Sequence, residues 1–249
     1  MLNKMDKLLF QKVCDEIVGQ TQEQNGIGTL SEKTVHSVLK NYLSPDSLYH
    51  ERKVAGFIAD IYDGHEIIEI QTRDFNKLRR KLEAFLSLYS VTIVYPIHNI
   101  KYIRWINPQS GEINPPRKSP KSGSPYMVFP ELYKIKNFLT NPNLKIRIIS
   151  LNMEEYRYLD GWSQDKKKGS TRCDRIPLDI VNDILIENIS DYQILIPDKM
   201  DDIFTSKDFK KSSKLSLSAS QTALNILHYI GAVERIGKKG NSYLYRKLT

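Results

Sequence analysis

Asp60, Glu69 and Gln71 are the residues whose type and spacing point to chemistry. Asp63-Gly64 lies between the two acids, and Asp-Gly flanked by alternating apolar residues is the strongest short-range signal for a β-hairpin. With those two residues as the turn, Tyr62 pairs with His65, Asp60 with Ile67 and Ile58 with Glu69. Strand residues alternate faces, so Glu69 and Gln71 point one way while Ile68 and Ile70 point the other. Opposed residues share a face, which puts Asp60 on the Glu69 side, one diagonal step and about 7–8 Å away. Two carboxylates so placed repel, and each binds its proton more tightly unless a cation is supplied. Hard oxygen ligands suit Mg2+ or Mn2+, and a metal held there acidifies a bound water and stabilises a leaving alkoxide. The same pattern also describes an amphipathic hairpin whose polar face meets solvent. A turn longer by one residue would part the acids, because a one-residue slip flips every side chain.

The elements that must position these residues follow from periodicity. Ser31 caps a helix through about Tyr42, with Glu32 in its first turn and Ser44-Pro45 closing it. Strands are expected at about 48–53, 54–61 and 66–72. Phe75, Leu78, Leu82 and Phe85 then form the apolar stripe of a helix to about Tyr89, with Lys77, Arg79, Arg80 and Lys81 on its other faces. Val91 to Tyr95 is a continuous apolar run, as in a buried central strand, and Lys101 to Ile106 is another strand. Upstream, Met5, Leu8, Leu9, Val13 and Ile17 mark a helix over 3–22, which Asn25-Gly26-Ile27-Gly28 ends.

In this order the chain resembles the PD-(D/E)xK phosphodiesterase superfamily over roughly residues 30–107. Asp60 matches the family Asp, Glu69 the second acid, and Gln71 stands where Lys is usual; Ala59 replaces the family Pro. Glu32 matches an additional Glu on the helix before the hairpin. The resemblance implies an α/β fold, a restriction-endonuclease-like mixed sheet flanked by helices with an α-β-β-β-α-β core. It also implies Asp60 and Glu69 as metal ligands, Glu32 as an assistant to the metal or its water, and Gln71 as the group that orients the attacking water. Glu-x-Gln variants of the superfamily are compatible with activity. Arg73 or Lys77 is the expected substitute for the missing charge.

Beyond this core the chain is basic. Residues 117–175 carry 13 basic and 6 acidic side chains, most of the net +8. Arg117, Lys118 and Lys121 lie in a Pro-, Gly- and Ser-rich loop, and Lys166-Lys167-Lys168 and Arg172 in a second; both are candidate phosphate clamps. Between them, a helix is expected at 127–139 and a strand at 144–151. Residues 176–197, bracketed by Pro177 and Pro197, are expected to form a connecting helix.

The last 52 residues read as helix, helix and basic hairpin. Thr205 or Ser206 caps the first helix, and Ala223, Leu224, Leu227 and Ile230 face inward on the second, which Gly231 stops. This segment resembles a winged helix-turn-helix domain. The resemblance places Ser218, Ser220, Gln221, Thr222 and Asn225 at base edges and Lys238 and Lys239, at the wing tip, on phosphate. Four regions are therefore expected: an N-terminal helix (1–29), the nuclease-like core (30–175), the connecting helix (176–197) and the winged helix (198–249).

Composition bounds the rest. A formal charge of +8 over 249 residues favours a polyanionic partner. Cys14 and Cys173 have no metal-ligand spacing, no 18-residue apolar run occurs, residues 1–7 lack the long apolar core expected of a signal peptide, and no phosphate loop points to an NTP. The expectation is a cytoplasmic, metal-dependent DNA endonuclease of restriction, defence or repair type, acting on double-stranded DNA with Mg2+ or Mn2+. Double-strand cleavage by a single-site enzyme calls for a homodimer. The alternative is a catalytically inactive nuclease-like DNA-binding protein or transcriptional regulator, which Gln71 favours; an RNA-directed protein is a third reading.

Overall fold

The computed structural model describes residues 2–25, 34–161 and 171–248, with side chains from 2–19 in the first segment. Helix α1 (Lys4–Asn25) is followed by α2 (Thr34–Leu43), then by strands β1 (His50–Val54), β2 (Phe57–Tyr62) and β3 (Glu66–Ile70). Next come α3 (Arg79–Phe85) and three strands of at least 15 residues: β4 (Ser90–Ile106), β6 (Leu144–Tyr158) and β7 (Thr171–Ile186). Between β4 and β6 lie the two-residue β5 (Arg117–Lys118) and α4 (Phe129–Lys134). The chain closes with β8 (Ile203–Phe204), α5 (Ser206–Ser213), α6 (Leu217–Tyr229), β9 (Val233–Lys239) and β10 (Ser242–Lys247).

The result is mixed α/β, with a large mixed sheet flanked by helices. Its strand order is β1-β2-β3-β4-β6-β7, with β5 on β4; β2 and β3 are antiparallel, β3 and β4 parallel. A separate three-stranded sheet has the order β8-β10-β9. Backbone contacts group the chain into two compact units. The first comprises Met1–Glu51, Pro96–Ser124 and Ile149–Asp183; the second comprises Arg52–Tyr95, Pro125–Ile148 and Ile184–Thr249.

In the first unit α1 packs on α2, with Phe10 edge-on to Tyr42 at 5.2 Å. Among the described side chains of α1, Phe10, Val13 and Cys14 are buried, whereas Met5 and Leu8 are 73% and 56% exposed. The expected apolar stripe is thus rotated. Phe10, Val13 and Cys14 also recur at helical spacing, and the arc with the aromatic ring buries more area.

In the second unit the α3 stripe is as expected, with Phe75, Leu78, Leu82 and Phe85 all buried. Glu131 of α4 accepts the Phe75 N–H at 2.8 Å and pairs with Lys134. Phe129 of α4 meets Phe209 of α5 at 6.2 Å between ring centroids. Asn188 and Thr205 each cap the helical turns they begin through a reciprocal capping box, and Ser216 caps α6.

Three expectations need correction. Residues 176–186 continue strand β7, and only Ile189–Leu195 is helical, as a 3-10 segment. Ile176, Ile180, Ile184 and Ile186 are buried and all lie at even positions, on one face of the strand, and β-branched side chains of this kind favour strands. The 127–139 helix is broken into short pieces around α4. Third, the hairpin register differs: Ile61 pairs with Ile68 and Tyr62 with Ile67. The loop is therefore four residues long, not two. Asp63 stabilises it by accepting the N–H groups of His65 and Glu66, both at 2.8 Å.

Candidate active site

A loop longer by two residues keeps the parity of the strands, so the acids still share a face. Continued by one step, the register sets Asp60 directly opposite Glu69 rather than diagonal to it. The two strand ends are stitched through these side chains. Asp60 Oδ2 accepts the Ile70 N–H at 2.8 Å, and the Asp60 N–H donates to the Glu69 carboxylate. On its other side β3 runs beside β4, with Glu69 next to Ile93 and the Gln71 N–H donating to the Val94 carbonyl at 2.9 Å.

Glu69 is 2% exposed. Burial, the largest influence, and then the adjacent Asp60 carboxylate push its carboxyl up to about 7, against the pull of Lys81 and the Asp60 N–H. Lys81 reaches down from α3 and its ammonium bonds both carboxyl oxygens, at 2.9 and 2.7 Å. Asp60, Glu69 and Lys81 together carry a surplus of one negative charge when both acids are ionised. Such a site suits a hard cation with water completing its shell.

Lys81 is the functional group that sequence reasoning missed, since Arg73 and Lys77 were the expected substitutes. Its position, directly before the buried Leu82 and one turn after the buried Leu78, is the signal that places it at the edge of the inward stripe. Gln71 closes the strand end but its amide nitrogen donates to the carbonyls of Arg73 and Asp74. Glu32 lies outside the described residues. Among the described residues no group of three or more His, Cys, Asp or Glu side chains is gathered for a metal. Any ion here would rest on the two carboxylates, on water and on groups outside that set.

The C-terminal candidates divide. Ser218 and Gln221 are exposed on α6, and Thr222 is half-buried with its hydroxyl donating to the Ser218 carbonyl at 3.1 Å. Ser220 is 0% exposed and its hydroxyl donates to the Ser216 carbonyl at 2.9 Å, so it belongs to the core rather than to the outer face of α6. Asn225 accepts a hydrogen bond from Lys136 at 2.8 Å, and the same ammonium lies 4.3 Å from the Tyr229 ring centroid. The N-terminal half of the outer α6 face is thus open, while Lys136 covers part of the rest.

Lys238 and Lys239 are exposed where β9 turns into β10, with the Lys238 ammonium 5.0 Å from the Tyr243 ring centroid. Arg117 and Lys118 are exposed on β5, which pairs with Tyr102 and Ile103, and Lys121 is exposed just beyond. That loop returns to β4 at Gly123, where a side-chain Cβ would fall 1.6 Å from the His98 carbonyl oxygen. Only glycine permits the approach. Lys166, Lys167 and Lys168 lie outside the described residues.

No described helix is long and apolar enough to cross a membrane. An uncharacterized protein of Treponema pallidum (strain Nichols) is 29% identical over 223 residues, covering 89% of this chain and 87% of the relative. No solved structure matches the chain. The family described as a domain of unknown function, DUF8091, matches residues 33–187, and the chain belongs to it.

Proposed function

We propose that this DUF8091 member is a metal-dependent DNA endonuclease with a PD-(D/E)xK-like core and a C-terminal winged helix, of restriction, defence or repair type. The observation that carries the reading is Asp60 set opposite a buried Glu69, whose proton is held loosely enough to leave near pH 7 and whose oxygens Lys81 grips. The order α2-β1-β2-β3-α3-β4, with β3 parallel to β4, supports it, as do α5, α6 and the β9–β10 hairpin with its basic tip.

Asp60 and Glu69 are the residues that would hold Mg2+ or Mn2+. The ion, when bound, would supply an activated water and charge neutralisation for a leaving oxygen. Asp60 and Lys81 hold the Glu69 carboxylate in place, and Lys81 supplies the positive charge that Gln71 lacks. Ser218, Gln221 and Thr222 on α6 would face base edges while Lys238, Lys239, Arg117, Lys118 and Lys121 meet phosphates.

Incubating supercoiled plasmid with the protein in Mg2+, Mn2+ or EDTA tests the reading. Cleavage is expected only with metal, and is expected to vanish in Asp60→Ala and Glu69→Ala. DNA binding without cleavage under any metal would replace it with the second reading, an inactive nuclease-like DNA-binding protein or regulator. The turn of the Gln71 amide toward Arg73 and Asp74 favours that alternative.

A further inference from the structure

The first unit contains a second buried carboxylate, in surroundings of the opposite sign. Glu155 on β6 is 0% exposed. Its Oε2 accepts from Lys101 Nζ on β4 at 3.0 Å and from Arg175 Nε on β7 at 3.3 Å. Its Oε1 accepts from Arg157 Nε at 2.6 Å and from Arg157 Nη2 at 2.5 Å. Three cations around one carboxylate leave a surplus of two positive charges. A structural ion pair needs only one cation; here all three bond the same carboxylate, whose single charge offsets part of their desolvation but cannot neutralise them all.

The field of this surplus registers on its neighbours. Burial above all pushes Lys101 down, and Arg175 and Arg157 add to it while Glu155 opposes. His98 is pushed down to about 4, first by burial and then by Lys101 and Arg175, so it stays neutral near pH 7.

Each cation is only half-buried, with side-chain exposures of 15% for Lys101, 15% for Arg157 and 27% for Arg175. Glu155 leaves donors unused on each of them: both Nη groups of Arg175, Nη1 of Arg157 and two protons of Lys101. Those donors have no other hydrogen-bond partner among the described residues. Beside Lys101 runs the loop with Arg117 and Lys118, whose Ser119 N–H donates to the Lys101 carbonyl at 2.7 Å.

We propose that Lys101, Arg157 and Arg175 form a seat for a phosphate group, with Glu155 as the buried anchor that holds the three cations in register. Arginine forks match the oxygens of a phosphate, and a lysine ammonium adds a point charge. Two sources share that chemistry, a nucleic-acid backbone and a free phosphate or mononucleotide. Arg117, opposite Ile103 and so on the same sheet face as Lys101, extends the positive surface along β5, as a chain of phosphates requires. The seat stands independently of the hydrolytic reading, because binding to it is measured in EDTA.

The test uses the full chain in EDTA. The change in melting temperature on adding inorganic phosphate, against chloride at equal ionic strength, is compared for the parent, Arg175→Gln, Lys101→Gln and the control Lys12→Gln. Anisotropy of a labelled duplex of about 20 base pairs is followed through a salt series alongside. The parent and Lys12→Gln are expected to show the phosphate-induced rise, and Arg175→Gln to lose most of it while melting normally in chloride. Duplex affinity falling several-fold in Arg175→Gln, with a salt slope smaller by about one, would assign the seat to a nucleic-acid backbone. Unchanged duplex affinity with a lost phosphate rise would assign it to free phosphate. Lys101→Gln gives the same readout should Arg175→Gln not fold. A folded variant that keeps both the phosphate rise and the duplex affinity, or a parent that shows neither, overturns the proposal.

Discussion

Glu69 and Glu155 are both buried strand carboxylates gripped by cations at 2.5–3.3 Å, yet their chemistry diverges. Glu69 faces one carboxylate and one ammonium, and its carboxyl rises to about 7. Around Glu155, burial pulls the carboxyl upward too, but Lys101, Arg157 and Arg175 outweigh it and the value falls to about 2. Burial alone therefore does not set the behaviour of an acid. The sign of the surplus charge around it does, and that sign also says which ligand the place would accept: a cation at Glu69, an anion at Glu155.

The largest expected effect is on stability. Glu155→Gln leaves three half-buried cations without their counter-ion and should cost about 3–5 kcal/mol in urea denaturation at pH 7. Glu69→Gln replaces a group that is already about half-protonated there, removes a like-charge contact, and should cost about 1 kcal/mol or less. Equal losses for the two variants would break the comparison.

A middle-sized effect lies in pH dependence. Glu69 has a folded value above its ordinary one, so the native state binds the extra proton between about 4.5 and 7. Its contribution is full below pH 4.5 and is lost as pH rises through about 7. Glu155 behaves in the opposite way, with a contribution present above pH 4.5 and lost as pH falls toward about 2. His98, pushed below its ordinary 6.5, contributes above that pH and loses the contribution as pH falls to about 4, masking the Glu69 slope in the parent. Subtracting the stability curve of Glu69→Gln from that of the parent should expose the slope. Lys81→Met should raise Glu69 further, so any stabilisation by Mg2+ should then need a higher pH.

The smallest expected effect comes from a pair of similar length that water reaches. Lys40 and Glu51 are 2.7 Å apart, but the Glu51 side chain is 69% exposed. Glu51→Gln should cost less than about 1 kcal/mol in the same denaturation assay. A loss as large as that of Glu155→Gln would show that pairing, not burial, separates the strong sites from the weak.

The sequence made the shared face of Asp60 and Glu69 legible because strand parity survives a loop that is longer by two residues. It did not make the loop itself legible, since the Asp63 carboxylate can close either a short turn or a longer one. The α3 stripe was readable from four apolar residues at helical spacing. Lys81 was not, because a lysine beside such a stripe reads as solvated until the depth of the neighbouring strand is known. Ser220 was misassigned for the converse reason. It lies in helical phase with Ala223, Leu224 and Leu227, and a hydroxyl satisfied within its own helix is as much core as a methyl group. In residues 176–186 the isoleucines at 176, 180 and 184 and the acids at 179 and 183 recur every four residues, a spacing that fits a helix face as well as one face of a strand, so the sequence did not separate the two. The cluster around Glu155 draws on three strands remote in sequence, and no local pattern announces it.

Helix α6 packs on α4 and α5, and the Gln193 amide donates to the carbonyls of Ala232 and Leu248. Residues 184–249 therefore share one compact unit with the hairpin that carries Asp60 and Glu69. Truncation near residue 198 would strip apolar cover from Phe129 and Leu132 of α4 and yield an aggregating stump. Cutting and recognition, if this protein does both, cannot be dissected by deletion. Their genetic separation has to come from point alleles, and a fusion that borrows either half alone would inherit an open core.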